Sequence, residues 1–125
     1  MTKKWILTVD DDPAFLSILE ETLSHPELSI TTASDAVQAF IQARDLQPIL
    51  IISDIYMPGG YGTQTLKLLR EDPRLPRVPI LFITGASLEL ARSLLPKNDP
   101  SIGLMQKPPN LPELRERVWK LAGVK

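Results

Sequence analysis

Apolar and polar residues alternate along this chain in blocks rather than residue by residue. Short, nearly continuous apolar runs occur at Trp5–Val9, Leu28–Thr32, Ile49–Ile52, Ile80–Thr84 and, more weakly, Ile102–Gln106. Runs of this length without period-two alternation predict strands buried on both faces, as in a parallel sheet. Between them the apolar residues recur at helical spacing: Phe15, Leu16, Leu19 and Leu23; Val37, Phe40 and Ile41; Leu66 and Leu69; Leu88, Ala91, Leu94 and Leu95; Leu111, Leu114, Val118 and Leu121. Each set predicts a helix that buries one stripe.

The punctuation agrees. Asp12 before Pro13 reads as an N-cap with proline at the first helical position, and Ser24-His25-Pro26 ends that helix. Ser34 is read as the cap of the second helix, which Gln47-Pro48 closes, and Ser87 as the cap of the fourth. Asn110 with Glu113 three residues on resembles a capping box for the last. The third helix is read over Gly62–Glu71; Pro73, Pro76 and Pro79 make a stiff connector after it, and Pro96–Pro100 is a polar loop. Met57-Pro58-Gly59-Gly60 is read as a turn and Gly59–Gly62 as a loop that lacks the Lys-Ser/Thr of a P-loop. Five strands alternating with five helices predict an α/β fold, a doubly wound parallel sheet in the order 2-1-3-4-5. Residues 1–125 are read as one domain.

In such a sheet the carboxyl ends of the strands share one edge, where ligands bind. The residues standing there are Asp10 and Asp11 after the first strand, Asp54 after the third, Thr84 after the fourth and Lys107 after the fifth. Three carboxylates brought together repel one another and raise one another's pKa. A hard divalent cation relieves this, and a set of oxygen ligands without His or Cys suits Mg²⁺. Asp54 is then left ionised as a nucleophile, and the Thr84 hydroxyl and Lys107 ammonium can meet charge on a transferred phosphoryl group.

Composition narrows the remaining classes. The formal net charge is −1 with no basic stripe, which argues against direct nucleic-acid binding. There is no cysteine, which excludes a disulfide framework and thiol chemistry. No apolar run approaches a membrane span, so a cytoplasmic location is the default expectation. Three aspartates after the first strand would repel the phosphate of a flavin, and Tyr56 stands where an aspartyl-nucleophile phosphatase carries its second acid. His25, without an acidic or histidine neighbour in sequence, is read as a surface residue, and Trp119 as partly exposed cover beside the last helix's stripe.

Val9-Asp10-Asp11-Asp12-Pro13, Asp54-Ile55-Tyr56-Met57-Pro58-Gly59, Thr84-Gly85-Ala86 and Lys107-Pro108 together resemble the receiver domain of two-component response regulators. The resemblance runs the length of the chain. It implies that Asp54 is phosphorylated from the phosphohistidine of a sensor histidine kinase or phosphotransfer protein. It implies that Asp11, Asp54 and the backbone carbonyl of Tyr56 ligate Mg²⁺, with Asp10 acting through a metal-bound water. It further implies contacts from Thr84 and Lys107 to the phosphoryl group, a cis Lys107–Pro108 peptide, and output through a downstream protein, a C-terminal effector domain or a phosphorylation-linked dimer. The chain departs from the pattern at Leu104, where the family carries an aromatic switch residue, and at Pro109, where a large apolar residue is frequent. Tyr56 is expected to shield the phosphoryl group from water. The Leu104 substitution implies a packing-based switch over the fourth helix, fifth strand and fifth helix, with Gly85–Asp99 as its mobile part. The rival reading within the family is a degenerate receiver that binds partners without being phosphorylated.

Overall fold

The computed structural model describes residues 4–57, 60–74 and 77–124, with the backbone alone for residues 56–57 and 60–65. Its elements run β1 (Lys4–Val9), α1 (Pro13–Leu23), β2 (Leu28–Ala33), α2 (Ala36–Leu46), β3 (Leu50–Asp54), β4 (Tyr56–Met57), β5 (Gly60–Tyr61), α3 (Gly62–Glu71), β6 (Ile80–Thr84), α4 (Leu88–Leu94), β7 (Ile102–Gln106) and α5 (Leu111–Ala122). Five strands form a parallel sheet in the order β2-β1-β3-β6-β7. The expected topology is therefore present, with β6 and β7 as the fourth and fifth sheet strands. The addition is a two-residue antiparallel hairpin, β4 with β5, in which Tyr56 pairs with Tyr61. It occupies the stretch expected to be a turn and loop. Pro58 and Gly59 of that expected turn, and Pro76 of the expected connector, lie outside the described residues.

The apolar runs end up where continuous hydrophobicity requires them. All five residues of β3 and of β6 are buried. One core forms between the sheet and α2, α3 and α4 around Leu7, Ile51, Ile55, Leu66, Leu69 and Phe82; the other forms against α1 and α5 around Leu19, Leu23, Ile52, Leu81, Leu114 and Val118. Strand β7, at the sheet edge, is only half-buried, which accounts for its weaker apolar pattern.

Helix ends follow their side-chain caps. Asp12, Ser87 and Asn110 cap α1, α4 and α5, accepting from the backbone N–H groups of Ala14 and Phe15, of Leu90 and of Glu113. The cap of α2 is Asp35, which accepts from Gln38 N at 2.8 Å, and not Ser34; Ser34 instead donates to the Gln38 side chain through its own N–H and hydroxyl. The buried stripe of α2 also differs from expectation. Ala39 and Ala43 face the sheet, Phe40 packs at the margin, and Val37 and Ile41 are 65% and 41% exposed. Similarly, α5 buries Ala122 rather than Leu121, and Leu94 of α4 is exposed. In α2 and α5 small residues allow a closer approach to the sheet than the large ones would.

Candidate functional site

The parallel register brings the ends of β1, β3, β6 and β7 to one edge. Val9 pairs with Ser53, Asp54 with Ile83 and Thr84 with Gln106, so Asp10, next after β1, stands beside the end of β3, and Lys107, next after β7, stands beside the end of β6. One carboxylate oxygen from each of Asp10, Asp11 and Asp54 lies within 4.8 Å of the others. Asp10 is buried, at 1% exposure, Asp54 nearly so at 8%, and Asp11 is exposed.

Lys107 crosses this cluster. Its Nζ donates to Asp10 Oδ2 at 2.7 Å and to Asp54 Oδ2 at 3.3 Å. Burial pushes the Asp10 carboxyl above the ordinary carboxylate pKa, because a charge taken from water is disfavoured; the Lys107 hydrogen bond and the Asp12 N–H only partly offset this. For Lys107 burial acts toward deprotonation, and the two carboxylates more than offset it, so its pKa lies above the usual lysine value. Removing Lys107 would leave the buried Asp10 carboxylate without its cation, whereas Lys107 would keep Asp54 if Asp10 were removed.

Thr84 is fully buried at the end of β6. Its Oγ1 accepts from Ala86 N at 3.1 Å, while its carbonyl accepts from Lys107 N at 2.7 Å. The Ala86 carbonyl in turn accepts from Gln106 Nε2 at 3.1 Å. The end of β6 and the loop after it are thus tied to the end of β7 by two hydrogen bonds, and the Thr84–Ala86 bond braces the loop itself. The Lys107–Pro108 peptide is cis.

Among the residues anticipated from the sequence, Asp10, Asp11, Asp54 and Lys107 come together directly, and Thr84 ends the strand beside Asp54. Tyr56 lies two residues beyond Asp54 in β4, and its side chain, expected to act as a shield, lies outside the described residues. Leu104 is half-buried and packs against the core beneath α4. His25 is half-buried rather than on the surface: its Nδ1 accepts from Glu27 N, and its ring meets Trp119 edge-on, with centroids 5.1 Å apart. Trp119 is half-buried cover, as expected, and donates weakly to Leu23 O at 3.4 Å. Sequence reasoning placed Phe15 in the core alone. Its ring is half-buried and lies under the Lys107 ammonium, 4.5 Å from Nζ to the ring centroid. The available signal was its position in the first turn of α1, directly after the acidic loop.

The fit of a metal rests on the donor set. Three carboxylates and no nitrogen or sulfur ligand make a hard-oxygen site of the kind Mg²⁺ takes.

Comparison with known proteins bears on the same residues. The family model described as "response regulator receiver domain" matches residues 6–118. The hybrid signal transduction histidine kinase D of Dictyostelium discoideum is 32% identical over 123 residues, covering 98% of this chain and 8% of that protein. The response regulator PleD of Caulobacter vibrioides is 38% identical over 81 residues, 64% of this chain and 18% of PleD. This chain therefore spans less than a fifth of the length of either relative. Among solved structures, chemotaxis protein CheY4 of Vibrio cholerae superposes with a TM-score of 0.82 at 25% identity, over 96% of this chain and 99% of that one. No described helix is long and apolar enough to cross a membrane.

Proposed function

The chain belongs to the response regulator receiver domain family, and we propose that it is an active phosphoacceptor in which Asp54 takes the phosphoryl group. The observation that carries the reading is the placement of Asp54. It ends the central buried strand with Asp10 and Asp11 close by and the Lys107 ammonium at 3.3 Å. An Asp54 carboxylate oxygen attacks the phosphorus of a donor phosphohistidine. A P–O bond forms, the P–N bond breaks, and the imidazole leaves with the electron pair and takes up a proton.

Lys107 is already within reach of Asp54 Oδ2 and can follow the charge onto a phosphoryl oxygen. The Thr84 hydroxyl accepts from Ala86, which leaves its own proton to donate to a second phosphoryl oxygen. Asp11, Asp54 and the Tyr56 carbonyl would hold Mg²⁺, with Asp10 one water removed. When bound, that ion neutralises the facing carboxylates and the incoming phosphoryl oxygens. The donor is a sensor histidine kinase or a phosphotransfer protein. The output is a protein surface over α4, β7 and α5, read by a downstream protein, an effector domain or a second copy of the chain. Residues 1–125 act as one receiver domain in the cytoplasm.

The test is incubation with Mg²⁺ and a small acyl phosphate. Wild type should gain one acid- and base-labile phosphoryl group per chain, and Asp54→Ala none. Labelling of Asp54→Ala at the wild-type level would refute the assignment. A wild type that takes up nothing from the donor or from a cognate kinase would favour the degenerate receiver.

A further inference from the structure

Lys107 Nζ is held on three sides. Two are the carboxylates of Asp10 and Asp54. The third is the face of Phe15, 4.5 Å from the ring centroid, a distance at which an ammonium is attracted to the ring's negative π face. Phe15 is well placed to be a fixed wall. Its backbone N–H donates to the capping carboxylate of Asp12, and its side chain packs at the margin of the core formed with α1 and α5. The lysine side chain, by contrast, reaches the site from the end of an edge strand and is 24% exposed.

We infer that Phe15 is a positioning residue for Lys107. It holds the ammonium over the Asp10–Asp54 side of the cleft and lets it move between carboxylate and phosphoryl without leaving its third contact. The inference rests on the reading that Asp54 accepts a phosphoryl group. The physical distinction is between the two kinds of contact. A carboxylate hydrogen bond is directional and is lost when Lys107 turns toward a phosphoryl oxygen. Attraction to a π face depends on the ammonium staying above the ring and tolerates such a rotation. A leucine at position 15 would fill much of the same apolar space and offer no π face. Lys107 would then be held by Asp10 and Asp54 alone, the carboxylates it must partly release during transfer.

The experiment uses the whole chain with Phe15 replaced by Leu and, separately, by mono-, di- and trifluorophenylalanine, which drain the ring face while keeping its shape. Two quantities are read: the saturating rate of phosphoryl uptake from a small acyl phosphate with Mg²⁺, and the ¹⁵N and ¹³C signals of the Lys107 ammonium and its ε-carbon without donor. Uptake should fall stepwise with fluorine number and by about fivefold in Phe15→Leu, the size of a partly buried cation–π contact. The Lys107 signals should move in the same order, while urea midpoints across the fluorinated series stay flat. A flat uptake rate together with unmoved Lys107 signals in the fluorinated chains would overturn the inference. If wild type itself takes up no phosphoryl group, the Asp54 reading fails. The Lys107 signals then decide the placement by Phe15 on their own: movement with fluorine number supports it and constancy refutes it.

Discussion

Replacing Asp11 by Asn should change the sign of its effect on stability when Mg²⁺ is added. Without the ion, Asp11 faces two like charges, one oxygen of each within 4.8 Å of its own. Among the described residues no ion pair reaches it, since the Lys107 ammonium is engaged by Asp10 and Asp54. Asp11 is exposed, so a water-like dielectric is the appropriate scale, and each repulsion costs about 0.9 kcal/mol at that separation. The Lys107 ammonium, held by those same two carboxylates, carries one compensating charge and offsets about one of the two, leaving a net penalty of about 1 kcal/mol. The Debye length at physiological salt exceeds these separations, so added monovalent salt removes little of it. Asp11→Asn should therefore be about 1 kcal/mol more stable than wild type in chelator, roughly 3–5 °C in Tm for a chain of this length. With free Mg²⁺ at ten times its Kd, wild type should gain about 1.4 kcal/mol. The variant, which has lost a charged ligand, should gain little of this and fall behind. The assay is urea unfolding followed by tryptophan fluorescence, in chelator and in Mg²⁺ at matched ionic strength. Asp11→Asn less stable than wild type in chelator, or equal Mg²⁺ increments in the two proteins, would refute the reasoning.

Three further outcomes follow from the same geometry and from the loop before β7. Lys107→Ala should slow phosphoryl uptake about tenfold or more by removing a charge aimed at the transferred group. Thr84→Ala should take up phosphoryl at close to the wild-type rate yet lose the accompanying amide shifts over residues 85–106; equal loss of uptake in both variants would contradict this division. The Asp99 carboxyl accepts from the N–H and hydroxyl of Ser101 and from Arg77, which hold its pKa down to about 2. Because the folded value lies below the unfolded one, this contribution is complete above about pH 4 and is lost as pH falls through about 2. Asp99→Asn should therefore flatten the acid limb of a stability–pH curve between those values, and an unchanged limb would show that these contacts do not persist in solution.

The sheet and the edge that carries the site were legible because burial on both faces leaves an uninterrupted signal. In β3 and β6 every residue is buried, and the only polar residue before the site residues Asp54 and Thr84 is the small Ser53. Helix phase was less legible. In α2 the residues Ala36, Ala39, Phe40 and Ala43 also recur at helical spacing, and a stripe of small residues lets the helix approach the sheet closely. Weighting by size favoured Val37 and Ile41, which are exposed. The same competition separates Leu121 from Ala122 in α5. Ser34 and Asp35 are both good caps one residue apart, and the choice between them depends on where the chain leaves β2. The β4–β5 hairpin has two residues per strand, too few to show any period. At the site, strand ends predict convergence but not pairing. That Lys107 bonds Asp10 more closely than Asp54, and rests on Phe15, depends on side-chain paths that residue spacing does not encode.

If Asp54 takes a phosphoryl group, as proposed, the charge of the cluster favours a signal that passes toward β7. Three carboxylates and one ammonium leave the cluster at a formal −2. A divalent cation would bring it to neutrality. Converting the Asp54 carboxylate to a doubly charged aspartyl phosphate adds one further negative charge that neither Lys107 nor the cation can meet. In a cleft this buried, that charge must find hydrogen-bond donors. On the neighbouring strand end the Thr84 hydroxyl carries a proton that can serve. If Thr84 turns toward the phosphoryl group to offer it, its Oγ1 weakens its hold on the Ala86 N–H it now accepts. Ala86 is also gripped at its carbonyl by Gln106, and the Lys107 N–H holds the Thr84 carbonyl. A shift at Thr84 would therefore be felt at Ala86, at Gln106, which ends β7, and at Lys107 just after it. Leu104 lies two residues earlier on that strand, with an aliphatic side chain that can repack but exposes no polar tip. Under that proposal Ala86, held at its N–H by Thr84 and at its carbonyl by Gln106, would link the acid cluster to the surface formed by α4 and β7.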